Sequence, residues 1–224
     1  MVLGSRGRGF SSVVFGPVAR LLVRLHVSPD AVTVAGTAAV SAAALVLFPQ
    51  GYLVAGALVT GILVLTDSVD GLMAREIGRT SQFGAYLDST MDRISDSAIF
   101  AGLVLYFVNA PDGDWRMAGL IAALACLILG SLVSYARARA EGLDFTAKVG
   151  LAERADRLIV ALAATLAVGL GAPTAVLVLA LCLLALASLY TVGQRTATVY
   201  RQAEARDAAQ RDTTAGRDGG GAQP

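Results

Sequence analysis

The string Asp67-x-x-Asp70-Gly71-x-x-Ala74-Arg75 is followed, after eight residues, by Gly84-x-x-x-Asp88-x-x-x-Asp92, so that four aspartates, in two pairs each about one helical turn apart, fall within twenty-six residues. At about 100° per residue, Asp67, Asp70, Gly71 and Ala74 share one face of a helix, and Gly84, Asp88 and Asp92 share one face of the next. A short connection makes the two helices antiparallel neighbours, so that the four carboxylates can converge on one space. An all-oxygen donor set of that kind suits hard cations such as Mg²⁺ or Mn²⁺ rather than zinc. Four aspartates are more than one ion needs, and two ions roughly 4 Å apart are a recurring arrangement for phosphoryl transfer. Gly71 and Ala74 leave room for a ligand to approach the backbone, Gly84 permits close helix contact or ligand access, and Arg75 offers a fork suited to phosphate oxygens.

The elements that must position these residues are apolar. The 224-residue chain is 55% hydrophobic and 16% charged, with a mean hydropathy of +0.64. Soluble domains carry about a quarter charged residues, so the composition points to an integral membrane protein. Apolar runs at 31–48, 51–67, 85–109, 116–136, 154–171 and 173–193 predict an all-α membrane protein of six transmembrane helices, since about 20 residues cross the hydrocarbon core. Each aspartate would cost roughly 2.5–3.5 kcal/mol at a membrane-helix centre, which bound cations facing a water-filled cavity would offset. Basic residues gather before helix 1 (Arg6, Arg8, Arg20, Arg24), between helices 2 and 3 (Arg75, Arg79), between helices 4 and 5 (Arg137, Arg139, Lys148, Arg154) and after helix 6 (Arg195, Arg201, Arg206), whereas the other three loops hold only Arg116. By the positive-inside rule both termini and the aspartate string lie on the cytoplasmic side of the cell membrane. The net charge of +1 says little by itself, and no nucleic-acid partner is expected.

Three regions follow. Residues 1–28 form a cytoplasmic segment in which Phe10 to Val27 resembles an amphipathic interfacial helix, with no cleavable signal expected. Residues 29–200 form the six-helix catalytic domain. Residues 201–224, polar and glycine-rich at the end, read as a disordered cytoplasmic tail. Cys126 and Cys182 lie in separate apolar runs and are expected as free thiols. Trp115 reads as an interfacial anchor, and Asp96, one turn beyond Asp92, is expected to pair with Arg93 or to face a neighbouring helix.

The aspartate string matches, at every defined position, the signature of the CDP-alcohol phosphotransferase family, and Pro29-Asp30-Ala31-Val32-Thr33 is similar to that family's P-N-x-[LVI]-T segment, with Asp30 in place of Asn. The resemblance covers residues 10–200 and implies a membrane enzyme, usually a homodimer, in which an alcohol hydroxyl displaces CMP from CDP-diacylglycerol. It implies that Asp67, Asp70, Asp88 and Asp92 hold two divalent ions, that Asp92 is also the general base, and that Asp30, Ala31, Val32, Thr33, Gly71, Ala74, Arg75 and Ser81 form the CDP-lipid site.

The acceptor is read from Ser134-Tyr135-Ala136-Arg137-Ala138-Arg139-Ala140-Glu141 and Lys148-Val149-Gly150-Leu151-Ala152-Glu153-Arg154. Guanidinium groups beside a cation site suit an anionic acceptor; the same residues would also serve as anchors to anionic lipid heads. The stretch looks like the actinobacterial branch of the family that uses inositol phosphate and forms phosphatidylinositol phosphate. In that branch Ser134, Arg137, Arg154 and Arg195 would cradle the acceptor phosphate. Glycerol 3-phosphate is the alternative acceptor. A divalent-cation transporter is the alternative from another class, although conduction gives no reason for Gly71, Ala74 and Arg75.

Overall fold

In a computed structural model, the described residues are Pro17, Arg20, Arg24, Leu25, 27–66, 81–111, 113–151 and 153–218, the last with side chains to Arg211. Asp67, Asp70, Gly71, Ala74 and Arg75 lie outside them, as does most of the expected interfacial helix. Six helices lie among the described residues: α1 (Pro29–Leu47), α2 (Leu53–Thr66), α3 (Gln82–Asn109), α4 (Arg116–Glu141), α5 (Arg154–Gly169) and α6 (Thr174–Asp218). Each falls on one of the six apolar runs.

Local chemistry sets their starts. The Ser28 hydroxyl accepts from the Ala31 amide at 3.2 Å, with Pro29 and Asp30 in the first turn of α1, a combination of side-chain cap, preset φ and favourable dipole charge. Ser81 caps α3 in the same way, accepting from the Gly84 amide at 2.8 Å. Of the six, α1, α4 and α6 are long and apolar enough by themselves to cross a membrane. The described part of α2 has 14 residues and α5 has 16, and at about 1.5 Å per residue both fall short of a hydrocarbon core of about 30 Å.

Each helix packs chiefly on two others, in the cyclic order α1, α2, α5, α6, α4, α3 and back to α1. The Asn109 amide donates to the Pro49 carbonyl at 3.1 Å, joining the C-terminal ends of α1 and α3, while Asp30 lies beside Gly84 at their N-terminal ends. At the Asn109 end the ring is filled by Phe48, Phe100, Leu103 and Phe107, all buried. Small residues make the contacts close, as they do where membrane helices pack: a Cβ on Gly102 would stand 2.5 Å from the Ala44 carbonyl oxygen. Large apolar side chains such as Leu58, Ile62, Ile121, Ile128, Leu179 and Leu186 point outward, an arrangement suited to lipid rather than water.

Two features depart from the sequence reading. Among the described residues, α2 and α3 do not pack along their lengths; α1 touches both and a cavity separates their facing surfaces. The reason is geometric, since two helices that converge on a ligand must leave room for it. The expected disordered tail is also helical as far as Asp218. Residues 201–211 are rich in Ala, Gln, Arg and Glu, strong helix formers, and the helix is already nucleated by its apolar half. Forty-five residues span roughly 68 Å at about 1.5 Å each, so much of α6 projects past any bilayer core. There the Tyr200 hydroxyl donates to Glu204 at 2.7 Å, and that bond holds the phenol above its ordinary pKa.

Candidate active site

At the ring end that carries Asp30 and Gly84, a cavity of about 1220 Å³ opens between α2, α3, α4, α5 and α6. Five arginines (Arg93, Arg137, Arg154, Arg157, Arg195) and three carboxylates (Asp92, Glu141, Glu153) line it, so it favours an anion. Its other wall, from Gly61, Val64 and Leu65 of α2 to Leu158 and Leu162 of α5, is apolar. A volume beyond the roughly 300–1,000 Å³ of ordinary ligand pockets, with one charged and one greasy wall, fits an amphiphile alongside a polar co-substrate.

The structure brings five of the predicted site residues together. Asp92, Ser134, Arg137, Arg154 and Arg195 all line this cavity, from four helices. Asp88 is exposed one turn before Asp92 on α3. Asp92 is only part-buried, and its Oδ1 takes Arg154 Nη2 at 2.9 Å. Arg154 Nε donates to Asp96 Oδ1 at 2.9 Å, so one guanidinium spans two carboxylates a helical turn apart. Arg137 pairs with Glu141 at 3.0 Å near the surface, where such a pair contributes about 0.2–1 kcal/mol and releases Arg137 at little cost to an incoming anion. Arg195 is buried; its Nε donates to the Val149 carbonyl at 2.9 Å and its Nη1 to the Val133 carbonyl. It therefore braces the backbone as well as facing the cavity.

The expected nucleotide contacts gather at the neighbouring helix starts. Asp30 Oδ1 lies 3.7 Å from where a Gly84 Cβ would be, with Ala31 exposed and Val32 part-buried beside it. Thr33 is buried and donates to the Pro29 carbonyl at 3.1 Å. Ser81 is exposed with its hydroxyl engaged as the α3 cap, a structural role the sequence reading did not give it.

Sequence reasoning missed Arg157 and understated Asp96. Arg157 is 2% exposed, lies against Gly130 of α4, and has Nη2 3.6 Å from Asp96 Oδ2. Arg93 approaches the same oxygen at 3.9 Å and donates to the Ser134 hydroxyl. Asp96 is thus the common counter-charge for Arg93, Arg154 and Arg157. The available signal was a carboxylate one turn past Asp92 on α3 and two arginines, Arg154 and Arg157, in the first turn of α5.

Among the described residues no group of three or more His, Cys, Asp or Glu side chains is placed to hold a metal. Asp88 and Asp92 nonetheless fit a share in a divalent-cation site. They are oxygen-only donors on one helix face, and Asp92 already faces a cationic group across the cavity.

A helical ring with apolar side chains outward, a charged cavity at one end and an acidic helix face beside it has the chemistry to hold an anionic amphiphile. Residues 26–152 match the CDP-alcohol phosphatidyltransferase family, more than half the chain, and the protein belongs to that family as an integral membrane enzyme. It is 43% identical over 214 residues to a phosphatidylinositol phosphate synthase of Streptomyces avermitilis, covering 93% of this chain and 86% of the relative. The solved phosphatidylinositol phosphate synthase of Mycobacterium tuberculosis with manganese and citrate is similar at a TM-score of 0.79 and 42% identity, over 84% of this chain and 89% of that one. The same enzyme with CDP-DAG bound gives a TM-score of 0.78 at 42% identity, over 84% and 94%.

Proposed function

We propose that the protein transfers the phosphatidyl group of CDP-diacylglycerol to a hydroxyl of inositol phosphate, releasing CMP and forming phosphatidylinositol phosphate. The observation that carries this reading is the meeting of Asp92 with Ser134, Arg137, Arg154 and Arg195 in one cavity that also has an apolar wall. The phosphatidylinositol phosphate synthases of Streptomyces and Mycobacterium, similar over most of their lengths, support the choice of acceptor.

In the proposed mechanism Arg137, Arg154 and Arg195 hold the acceptor phosphate by charge-assisted hydrogen bonds, with Ser134 contributing its hydroxyl. The apolar wall between α2 and α5 receives the acyl end of the donor. Asp67, Asp70, Asp88 and Asp92 would hold divalent ions, Mg²⁺ or Mn²⁺ and two in number, which when bound neutralise the pyrophosphate and make CMP a better leaving group. Asp92 Oδ takes the proton of the acceptor hydroxyl as that oxygen bonds to the lipid-bearing phosphorus. The bond from that phosphorus to the CMP oxygen breaks, and CMP leaves with the electron pair. Asp30, Ala31, Val32, Thr33, Gly71, Ala74, Arg75 and Ser81 form the surroundings of the CDP moiety.

The reading extends to six membrane crossings, both termini and the cavity on the cytoplasmic side, and a homodimer. The arginine distribution supports the orientation. A cysteine introduced at Leu143 should be labelled only from the cytoplasmic side; labelling of intact cells there by an impermeant reagent would overturn it. The reaction itself is tested by CMP release from CDP-diacylglycerol with each acceptor in turn. Turnover is expected with inositol phosphate and not with free inositol, whose lack of a phosphate leaves the arginine cluster unused. Turnover with glycerol 3-phosphate alone would overturn the acceptor assignment while leaving the reaction type intact.

A further inference from the structure

The segment joining α4 to α5, residues 142–151, runs alongside α6 in the opposite direction and is fastened to it at four levels. The Leu151 amide donates to Thr191 Oγ1 at 3.2 Å. The Val149 carbonyl accepts from Arg195 Nε at 2.9 Å. The Thr146 amide donates to Gln202 Oε1 at 3.0 Å and its carbonyl accepts from Gln202 Nε2 at 2.7 Å, so one side chain satisfies both backbone groups of one residue. Arg206 closes the far end, donating to the Leu143 carbonyl at 3.2 Å and to that of Asp144, with its guanidinium 4.3 Å from the Phe145 ring centroid. Thr191, Arg195, Gln202 and Arg206 are at offsets 0, 4, 11 and 15, within about 60° of one helix face at 100° per residue.

This strap ends close to where the acceptor groups begin. It leaves α4 one helical turn after Arg137, ends three residues before Arg154, and supplies the carbonyl that orients Arg195. Its path is also constrained by shape: Gly150 has φ +144°, and a Cβ there would collide with the Thr191 side chain. Asp144 sits at φ 58°, a left-handed conformation that Asp tolerates better than most residues.

We propose that Gln202 and Arg206, on the part of α6 beyond the membrane, are positioning residues for the acceptor, because they hold the strap that sets Arg195 and the first turn of α5. They touch neither the cavity nor Asp92, and they act through Val149 and Arg195. Displacing a substrate-holding group by about 1 Å costs up to about a hundredfold in rate, so a loosened strap should be felt by the acceptor and not by the CDP-lipid at the α1–α3 end. The assignment rests on the acceptor site proposed above.

The test uses the full-length protein in lipid nanodiscs and compares wild type with Gln202→Ala/Arg206→Ala and with Gln202→Glu. The glutamate is nearly isosteric and leaves the helix intact, but sets an oxygen against the Thr146 carbonyl. Both variants should show faster amide hydrogen exchange across residues 143–151, KM for inositol phosphate raised about tenfold in the double variant, and KM for CDP-diacylglycerol within about twofold of wild type. Unchanged exchange in both variants would overturn the clamp. Faster exchange with an unchanged acceptor KM, or with both KM values raised alike, would overturn the positioning role. If wild type itself shows no turnover with inositol phosphate, the acceptor reading fails, and the exchange comparison alone still supports or overturns the clamp.

Discussion

Asp92 and Asp96 are one helical turn apart and do different work. Asp92 is part-buried on the cavity and Asp96 is 8% exposed behind it, so the first is available to a substrate and the second is not. Asp92→Asn should abolish turnover while leaving CDP-lipid binding largely in place, because the amide cannot take the acceptor's proton; single-turnover CMP release together with CDP-lipid binding measures both, and near-normal turnover would remove Asp92 from the base role. Asp96→Ala should instead lower stability by about 3 kcal/mol, as expected when one member of a buried ion pair is deleted, since Arg157 is 2% exposed and stays behind. Chemical unfolding in micelles reads that difference, and a change under about 1 kcal/mol would contradict the hub role. The shared face of Asp88 and Asp92 was legible because their spacing repeats a helical turn. Arg157 was not, because its contact with Asp96 joins positions 61 apart through the ring interior, and helical periodicity carries no information on which distant helix faces which.

At the scale of elements, hydropathy located all six helices because each presents an apolar surface outward. It misjudged the end of α6 because low apolarity alone was read as disorder, whereas Ala, Gln, Arg and Glu at 201–211 favour a helix that the strap then holds in place. The face formed by Thr191, Arg195, Gln202 and Arg206 was present in the sequence, but its meaning required knowing that residues 142–151 lie against it. Close helix packing gives a sharper prediction. A methyl on Gly102 would stand 2.5 Å from the Ala44 carbonyl oxygen, and backbone cannot swing aside as a rotamer can, so Gly102→Ala should destabilise by about 1–3 kcal/mol. Gly193, inside α6 with nothing within 4 Å of its Cβ position, should accept the same change without loss and gain up to about 1 kcal/mol from helix propensity. Detergent or heat unfolding of the two variants side by side checks this; equal losses would mean that the α1–α3 contact is not a close one.

At the scale of the molecule, the cyclic order of helices was not legible. The sequence places α2 next to α3, yet in the ring α2 leans on α1 and α5, and α3 on α1 and α4. A hydrophobic pattern specifies that a helix buries a face, not which neighbour covers it. The outcome is a ring whose Asn109 end is packed solid with phenylalanine and leucine and whose Asp30 end is hollow and charged. That division confines chemistry to one end and leaves the other to supply stiffness.

The cavity's apolar wall between α2 and α5 carries a kinetic consequence. A donor whose tails stay in the bilayer meets the enzyme by lateral diffusion in two dimensions, while the acceptor arrives from solution in three. The concentration that governs donor saturation is then its mole fraction among the membrane lipids, so diluting it with inert phospholipid at constant total amount slows the enzyme as surely as withholding it.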